Sequence, residues 1–520
     1  MSPVIAALVT GLAAFISLSY EIVWYRMLGF VSGDPGPTFG LLLAFYLAGL
    51  AGGALGVGAI CRRTGPPSGH PPWLGVASFM GVANVLGYSV GPLLGSLAQR
   101  GLWPLVLPLV ALSAAGLGAI LPLVSHYAVS PDERAGAGLS YLYAVNILGA
   151  AFGSLLTGYI LLDVLPLSGV ALLLALFGLG TACVVALRSS PRTSRARGVA
   201  VGLVVVAVAV TFVNGTFFDA LYEKLLYKEQ FRPGTRFAHI VENRVGVVAV
   251  TRQAEVFGGG VYDGMILTDP VADRNGILRA YAVEGMHPRP RRILVIGMST
   301  GAWAQVLANA PGLEHMTIVE INPGYLQIIK QYDAVASLLE NPRAHIVIDD
   351  GRRWLRRNPE ERFDFIVLNT TFHWRSHLPN LLSVEFLQLI RRHLAPGGIY
   401  YFNTTDSPQA ARTAFTVFPH GLRFRNFVAV SDTPFELDRF QWAKALGEWK
   451  IDGRPVLDVN READRRRLAS LDSETTVGAG LDAVLERRES ALARLQRARV
   501  ITDDNMATEW ESVFPRLWLP

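Results

Sequence analysis

Between residues 291 and 408 of this 520-residue chain, glycines, acids and amides recur at the ends of apolar runs, a spacing that suits the handling of a nucleoside. RRILVIG (291–297) is a continuous apolar run, and MSTGAWAQVLANA follows it as a glycine-bearing turn entering a helix. Gly297, Ser299, Thr300 and Gly301 form that turn, where small residues let a backbone approach a ligand closely. MTIVEIN carries Glu320 at the end of a second run, where a carboxylate can accept from both ribose hydroxyls. HIVIDDGRRWL ends a third run in Asp349 and Asp350 ahead of Gly351, and RFDFIVLN ends a fourth in Asn369. No Lys-Ser/Thr pair follows the turn, and Asp350 would repel phosphate yet accept from an adenine amino group. The set points to S-adenosylmethionine chemistry rather than NAD or ATP. Plainer roles stay open: tight helix packing for the GMSTG turn, a solvated strand-end acid for Glu320 and a helix N-cap for Asp350.

The elements that must hold these residues alternate strand and helix. LLSVEFLQLIRRHLAPGGIYYFNTT adds a helix, a Pro-Gly-Gly turn and a fifth strand. Such alternation predicts a doubly wound, Rossmann-like α/β sheet whose ligands sit at the carboxyl ends of the strands. Ahead of it, RFAHIVENRVGVVAVTRQ and GGGVYDGMILT read as small antiparallel strands punctuated by glycine. The expected boundaries are a linker and small β unit over 214–288, a nucleoside-binding core over 289–410, and a C-terminal extension over 411–520. Within that extension LDAVLERRESALARLQRARV reads as a charged amphipathic helix. ITDDNMATEW either returns its acids and Trp510 to the rim of the site or serves as a capping motif.

The first 213 residues are chemically different. They hold nine Arg, no Lys and five acids, leaving 75 of the 89 charged residues to the last 307. The whole chain is 51% hydrophobic and 17% charged, which excludes an ordinary cytosolic enzyme. Cys61 and Cys183 are the only cysteines, so neither a disulfide framework nor a cysteine zinc cluster is expected, and no metal site is assigned. A net charge of +5 is weak evidence for nucleic acid, because basic residues in such a chain face lipid headgroups; no nucleic-acid partner is expected. Apolar runs near 3–31, 37–61, 73–98, 102–129, 139–162, 165–187 and 198–213 predict a multi-span helical membrane bundle over 1–213. The seventh run is short, and six spans plus a surface helix is the alternative. Met1-Ser2-Pro3 leads straight into the first run with no basic segment before it, which reads as a retained helix.

Arg62, Arg63, Arg134, Arg188, Arg192, Arg195 and Arg197 mark loops that the positive-inside rule makes cytoplasmic, with a bacterial-type cell membrane as the setting. Seven crossings then put the soluble half outside and six put it inside, a choice left undecided. Glycines at 49, 52, 53 and 56, and at 149, 153 and 158, predict close helix contact, within one bundle or between the chains of a homodimer. Glu21 and Arg26 read equally as interfacial anchors or functional groups; Asn84, His126, Asn146 and Asp163 read as polar helix contacts or span ends.

The order YDG, ILVIGMSTG, VEIN, DDGR, FDFIVLN, LLSVEF and LAPGG over about 236–408 resembles the spermidine synthase (polyamine aminopropyltransferase) family. The apolar spans ahead of it, and the closing ITDDNMATEW, resemble that family's membrane-fused branch. The resemblance implies a small β domain on a methyltransferase-like Rossmann fold, and cleavage between the sulfur and propyl chain of a sulfonium, leaving 5′-methylthioadenosine. It also implies that Gly297, Ser299 and Gly301 form the cofactor turn, Glu320 holds the ribose and Asp350 the adenine. Where the family turn reads GGGDG, this chain has Thr300; where the catalytic Asp follows strand four, it has Asn369, and Phe372 stands where a further acid is expected. The glutamine usual near YDG is replaced by Leu267 or Thr268.

An amide cannot deprotonate an attacking amine, which argues against ordinary spermidine synthesis. The segment NTTFHWRSHLPN (369–380) supplies Arg375, His373 and His377 in the gate-loop position. Arg375 can grip a carboxylate bidentately and His373 can act as a base, which suits S-adenosylmethionine itself; packing of the loop is the plain alternative. The leading expectation is a membrane enzyme taking S-adenosylmethionine or its decarboxylated form. It would release methylthioadenosine by aminopropyl or aminocarboxypropyl transfer, or by internal cyclisation. A methyltransferase, or a catalytically silent nucleoside or polyamine sensor or transporter, is the competing class.

Overall fold

The computed structural model of the chain describes residues 3–33, 35–63, 73–189, 194–370, 372–506 and 508–509. Arg192, Trp510 and the Arg63 side chain lie outside the described residues. The chain divides into two units, Met1–Arg236 with Glu242–Gly246, and Phe237–Val241 with Val247–Pro520.

Among the described residues the first unit has seven helices long and apolar enough to cross a membrane: Pro3–Ser32, Gly36–Arg62, Trp73–Ala98, Trp103–Ala128, Ala135–Val164, Leu167–Ser189 and Ser194–Phe217. The seventh is longer than its apolar run, at 24 residues, because no proline interrupts its flanks. At 1.5 Å per residue it spans about 36 Å, enough for a hydrocarbon core of about 30 Å. A Cβ added at Gly49 or Gly53 would lie 2.3 or 2.0 Å from the backbone oxygens of Ala111 and Ala115. At Gly149 or Gly153 it would lie 2.1 or 2.3 Å from those of Gly11 and Phe15. These glycines therefore press the second of these helices on the fourth and the fifth on the first, inside one bundle. Arg26 donates to the carbonyls of Asn243, of Arg244 at 2.8 Å and of Gly246 at 3.4 Å, while the Asp163 carboxylate accepts from the Arg244 N–H at 2.7 Å. Both ionisable groups thus satisfy a backbone turn. Asn84 donates to the Met80 carbonyl of its own helix at 2.8 Å.

The second unit opens with a four-stranded sheet, β1 (His239–Glu242), β2 (Val247–Val250), β3 (Glu255–Gly258) and β4 (Val261–Met265), in that order. The main sheet follows with β5 (Arg292–Ile296), β6 (His315–Glu320), β7 (Ala344–Ile348), β8 (Phe363–Leu368), β9 (Leu394–Asn403), β10 (His420–Phe424) and β11 (Phe427–Ser431). A two-stranded ribbon, β12 (Lys450–Ile451) with β13 (Arg454–Pro455), precedes β14 (Leu485–Arg487), which returns to the main sheet. The main order is β14-β10-β11-β9-β8-β5-β6-β7, with β5 to β9 parallel. The chain leaves β5 toward β6 and β7, then crosses to β8 on the other side of β5. That reversal is the switch point where a crevice opens beyond the strand ends. Ile293, Val295, Phe365, Val367 and Tyr401 fill one face of the sheet and Leu294, Ile296, Ile366, Leu368, Tyr400 and Phe402 the other, as parallel strands covered on both sides require.

Two local expectations differ from the structure. The charged segment 481–500 is not one helix: Leu485–Arg487 pairs antiparallel with β10 and only Arg488–Arg494 is helical. Edge pairing overrides helix propensity there, and Glu486, fully buried, accepts from Arg423 at 2.9 Å and Arg494 at 2.7 Å. The Pro-Gly-Gly of 396–398 lies inside β9, where the register against β8 shifts, rather than before it.

Candidate active site

β5 runs into a turn that only permissive backbone can make, with φ of +84° at Gly297, +47° at Ser299 and +76° at Gly301. Helix Ala302–Ala308 begins at once, and Thr300 accepts from the Ala302 N–H at 3.2 Å, so its hydroxyl caps the turn. β6 pairs alongside and delivers Glu320 to the same end of the sheet. One carboxylate oxygen of Glu320 accepts from the N–H of Met298 at 2.7 Å and of Ser299 at 3.3 Å; the other accepts from the Asn322 N–H at 2.8 Å. Burial raises the Glu320 carboxyl above its ordinary value, and these three backbone bonds oppose the rise. Glu320 is therefore the acid that shapes the glycine turn.

Asp350 follows β7 and accepts from the Arg353 N–H at 2.7 Å, capping helix Gly351–Arg357. A Cβ on Gly351 would sit 2.5 Å from the Ile296 side chain, so glycine brings this helix start against the end of β5. Asn369 follows β8, adjacent to the glycine turn through the β5–β8 pairing, and its Oδ1 accepts from Asn403 at 3.2 Å.

In the loop after β8, Arg375 bridges to β3 and β4, donating to Asp263 at 2.8 Å and to the Gly258 carbonyl at 2.7 Å. Tyr325 donates to the other Asp263 oxygen, and Ser299 donates to the Asp263 carbonyl at 2.9 Å. The Arg375 guanidinium thus clamps the loop to Asp263. His373 is held by its own N–H on the Thr405 hydroxyl at 3.0 Å. Burial pushes its imidazole down to about 4, with Asp406 opposing. Phe372, His377, Thr405 and Asp406 have φ between 45° and 65°, a cluster of left-handed residues around the cleft. The segment beginning ITDDN does return here: Asp503 pairs with Arg352 at 2.8 Å and Thr508 donates to the His373 carbonyl at 2.7 Å.

The structure thus gathers Gly297, Ser299, Thr300, Gly301, Glu320, Asp350, Gly351, Asn369, His373 and Arg375 around the carboxyl ends of β5 to β8. Sequence reasoning did not single out Asp263 as a site residue, although YDG carried it, nor Tyr325, Asn403, Asn426 and Arg279, which no local motif marks.

The Spermine/spermidine synthase domain profile matches residues 280–417. A polyamine aminopropyltransferase of Mycobacterium tuberculosis (strain ATCC 25618 / H37Rv) is 26% identical over 482 residues, covering 88% of this chain and 86% of its own length. The chain carries a spermine/spermidine synthase domain over 280–417. Polyamine aminopropyltransferase 1 of Streptomyces coelicolor is 25% identical over 453 residues, 84% of this chain and 82% of its own. Both alignments necessarily run into the apolar first half. Among solved structures, spermidine synthase in complex with the transition state analogue AdoDATO overlaps 46% of this chain and 88% of its own at 17% identity and a TM-score of 0.34. For Thermotoga maritima spermidine synthase the figures are 38%, 73%, 17% and 0.30. In this chain the carboxylates of Asp263, Glu320 and Asp350 are each engaged by protein donors.

Proposed function

We propose that this chain is a membrane-integrated transferase-family enzyme that binds S-adenosylmethionine or its decarboxylated form and cleaves the sulfur–propyl bond. The observation that carries the reading is Glu320: its carboxylate gathers the Met298 and Ser299 N–H groups at the switch point. A ribose placed there meets an acceptor for its hydroxyls, and the adenine falls toward Asp350 at the neighbouring strand end. The family match over 280–417 supports the same placement.

In the step itself the carbon–sulfur pair moves to sulfur, which leaves as neutral 5′-methylthioadenosine. The carbon is taken by an acceptor amine, which afterwards sheds a proton, or by a nucleophile within the substrate's own tail. Alignment in a site that excludes water accounts for most of the rate in such a displacement. His373, Arg375 and Asn369 are the proposed catalytic residues: burial keeps the His373 imidazole neutral near pH 7 and makes it a weak base, so the acceptor's proton is shed to bulk water on product release, while Arg375 holds the loop over Asp263 and Asn369 faces the tail. Purified protein in detergent, incubated with either sulfonium with and without polyamines, should yield methylthioadenosine by mass spectrometry. S-adenosylhomocysteine instead would assign methyl transfer.

One observation favours a second reading. Asn369 is an amide bonded to a second amide, which offers no base where an amine acceptor would need one. A sensor that binds the nucleoside without turnover would give calorimetric binding and no product. Membrane integration is tested by resistance to alkaline carbonate extraction.

A further inference from the structure

Asn369 ends a chain of hydrogen bonds whose direction is fixed. Arg279 has only donors, and it donates to Asn426 Oδ1, to the Asn275 carbonyl at 2.6 Å and to the Gly276 carbonyl at 2.8 Å, while lying 4.9 Å over the Phe427 ring. Asn426 must therefore present its Oδ1 to Arg279 and its Nδ2 onward, and Nδ2 donates to Asn403 Oδ1 at 2.8 Å. The same Asn403 oxygen accepts from the Thr405 backbone N–H at 2.8 Å, which fixes that amide a second time without reference to Arg279. Asn403 then has only Nδ2 to offer Asn369, and it donates to Asn369 Oδ1 at 3.2 Å. Every link runs one way, from the cation outward, and each polarises the next. Asn369 has its Nδ2 donor left over from the relay, at the strand end beside the glycine turn.

Resting on the reading above, we propose that the substrate tail meeting Asn369 carries a hydrogen-bond acceptor, and that the chain selects the carboxylate of S-adenosylmethionine over the decarboxylated sulfonium. A terminal donor backed by a guanidinium favours a carboxylate, the group that the decarboxylated sulfonium lacks. The relay assigns Arg279, Asn426 and Asn403 as positioning residues for Asn369, and the preference follows from the orientation of one amide.

Asn403→Asp tests this with an isosteric change. It keeps the acceptor for Thr405 and Asn426 and replaces only the donor that meets Asn369, so the Asn369 amide must turn over and present its oxygen to the cleft. Affinities of the full chain in detergent for S-adenosylmethionine, decarboxylated S-adenosylmethionine and methylthioadenosine are read by calorimetry. Expected are a wild-type preference for S-adenosylmethionine of tenfold or more, a loss of at least tenfold in that ratio in Asn403→Asp, and unchanged methylthioadenosine affinity. If the variant also loses methylthioadenosine, Asn369→Asp carries the same test and should reverse the preference. A ratio that does not move in a variant still binding methylthioadenosine overturns the inference, as does a wild-type preference for the decarboxylated form; either leaves sulfur–propyl cleavage standing. A wild type that binds none of the three ligands overturns both.

Discussion

Thr508 donates its hydroxyl proton to the backbone carbonyl of His373 at 2.7 Å, joining the C-terminal segment to the loop after β8. The same segment pairs Asp503 with Arg352, on the helix capped by Asp350, and takes the Ser383 hydroxyl at 2.6 Å. Residues more than 130 positions apart thus hold the two loops that border the cleft.

Asp503→Ala should loosen both loops. Arg352 is mostly buried and would lose its carboxylate, but Asp503 is a third exposed, so the loss should be about 1–2 kcal/mol rather than that of a fully buried pair. Faster hydrogen exchange across 351–357 and 372–380, with Thr508→Val affecting only the second stretch, is the expected result.

Acidification should release the same loop. Burial lowers the His373 imidazole from 6.5 to about 4, so the unfolded loop takes up a proton that the folded one refuses. Its stabilisation is complete above about 6.5 and is lost as pH falls toward about 4. Limited proteolysis across this window should show cleavage in 372–380 appearing on the acid side, and His373→Phe should blunt the dependence.

Glu320→Gln should damage the turn as well as the nucleoside site. Three N–H groups converge on the two carboxylate oxygens, and an amide turns one acceptor into a donor facing another donor. We expect methylthioadenosine affinity to fall at least tenfold, with about 1–3 kcal/mol lost in stability, both measurable by calorimetry.

Arg375→Lys should lower turnover at least tenfold while leaving methylthioadenosine binding intact. A single ammonium cannot reproduce the planar fork that reaches Asp263 and the Gly258 carbonyl together. Undiminished turnover would remove Arg375 from the proposed machinery.

In the helical unit, Gly53→Ala should lower the melting temperature in detergent and Gly52→Ala should not. The first Cβ would meet the Ala115 backbone oxygen at 2.0 Å, whereas the second has nothing within 4 Å.

Local periodicity alone determined a good deal about this protein. Seven apolar runs, the strand–turn–helix at 291–308, and acids or amides at the strand ends are written in short stretches of chain, because span length, pleat and turn chemistry are local properties. The position of Asn369 beside the glycine turn follows from the same alternation. What each polar atom bonds to was decided only by tertiary structure. Arg375 finds Asp263 across 112 residues, Arg279 finds Asn426 across 147, and the direction of the Asn403–Asn369 bond depends on both a distant cation and a nearby backbone N–H. Likewise 485–487 became a strand because β10 offered it an edge. Hydrogen bonds are satisfied by whichever groups packing brings within about 3 Å, and packing is a property of the whole chain.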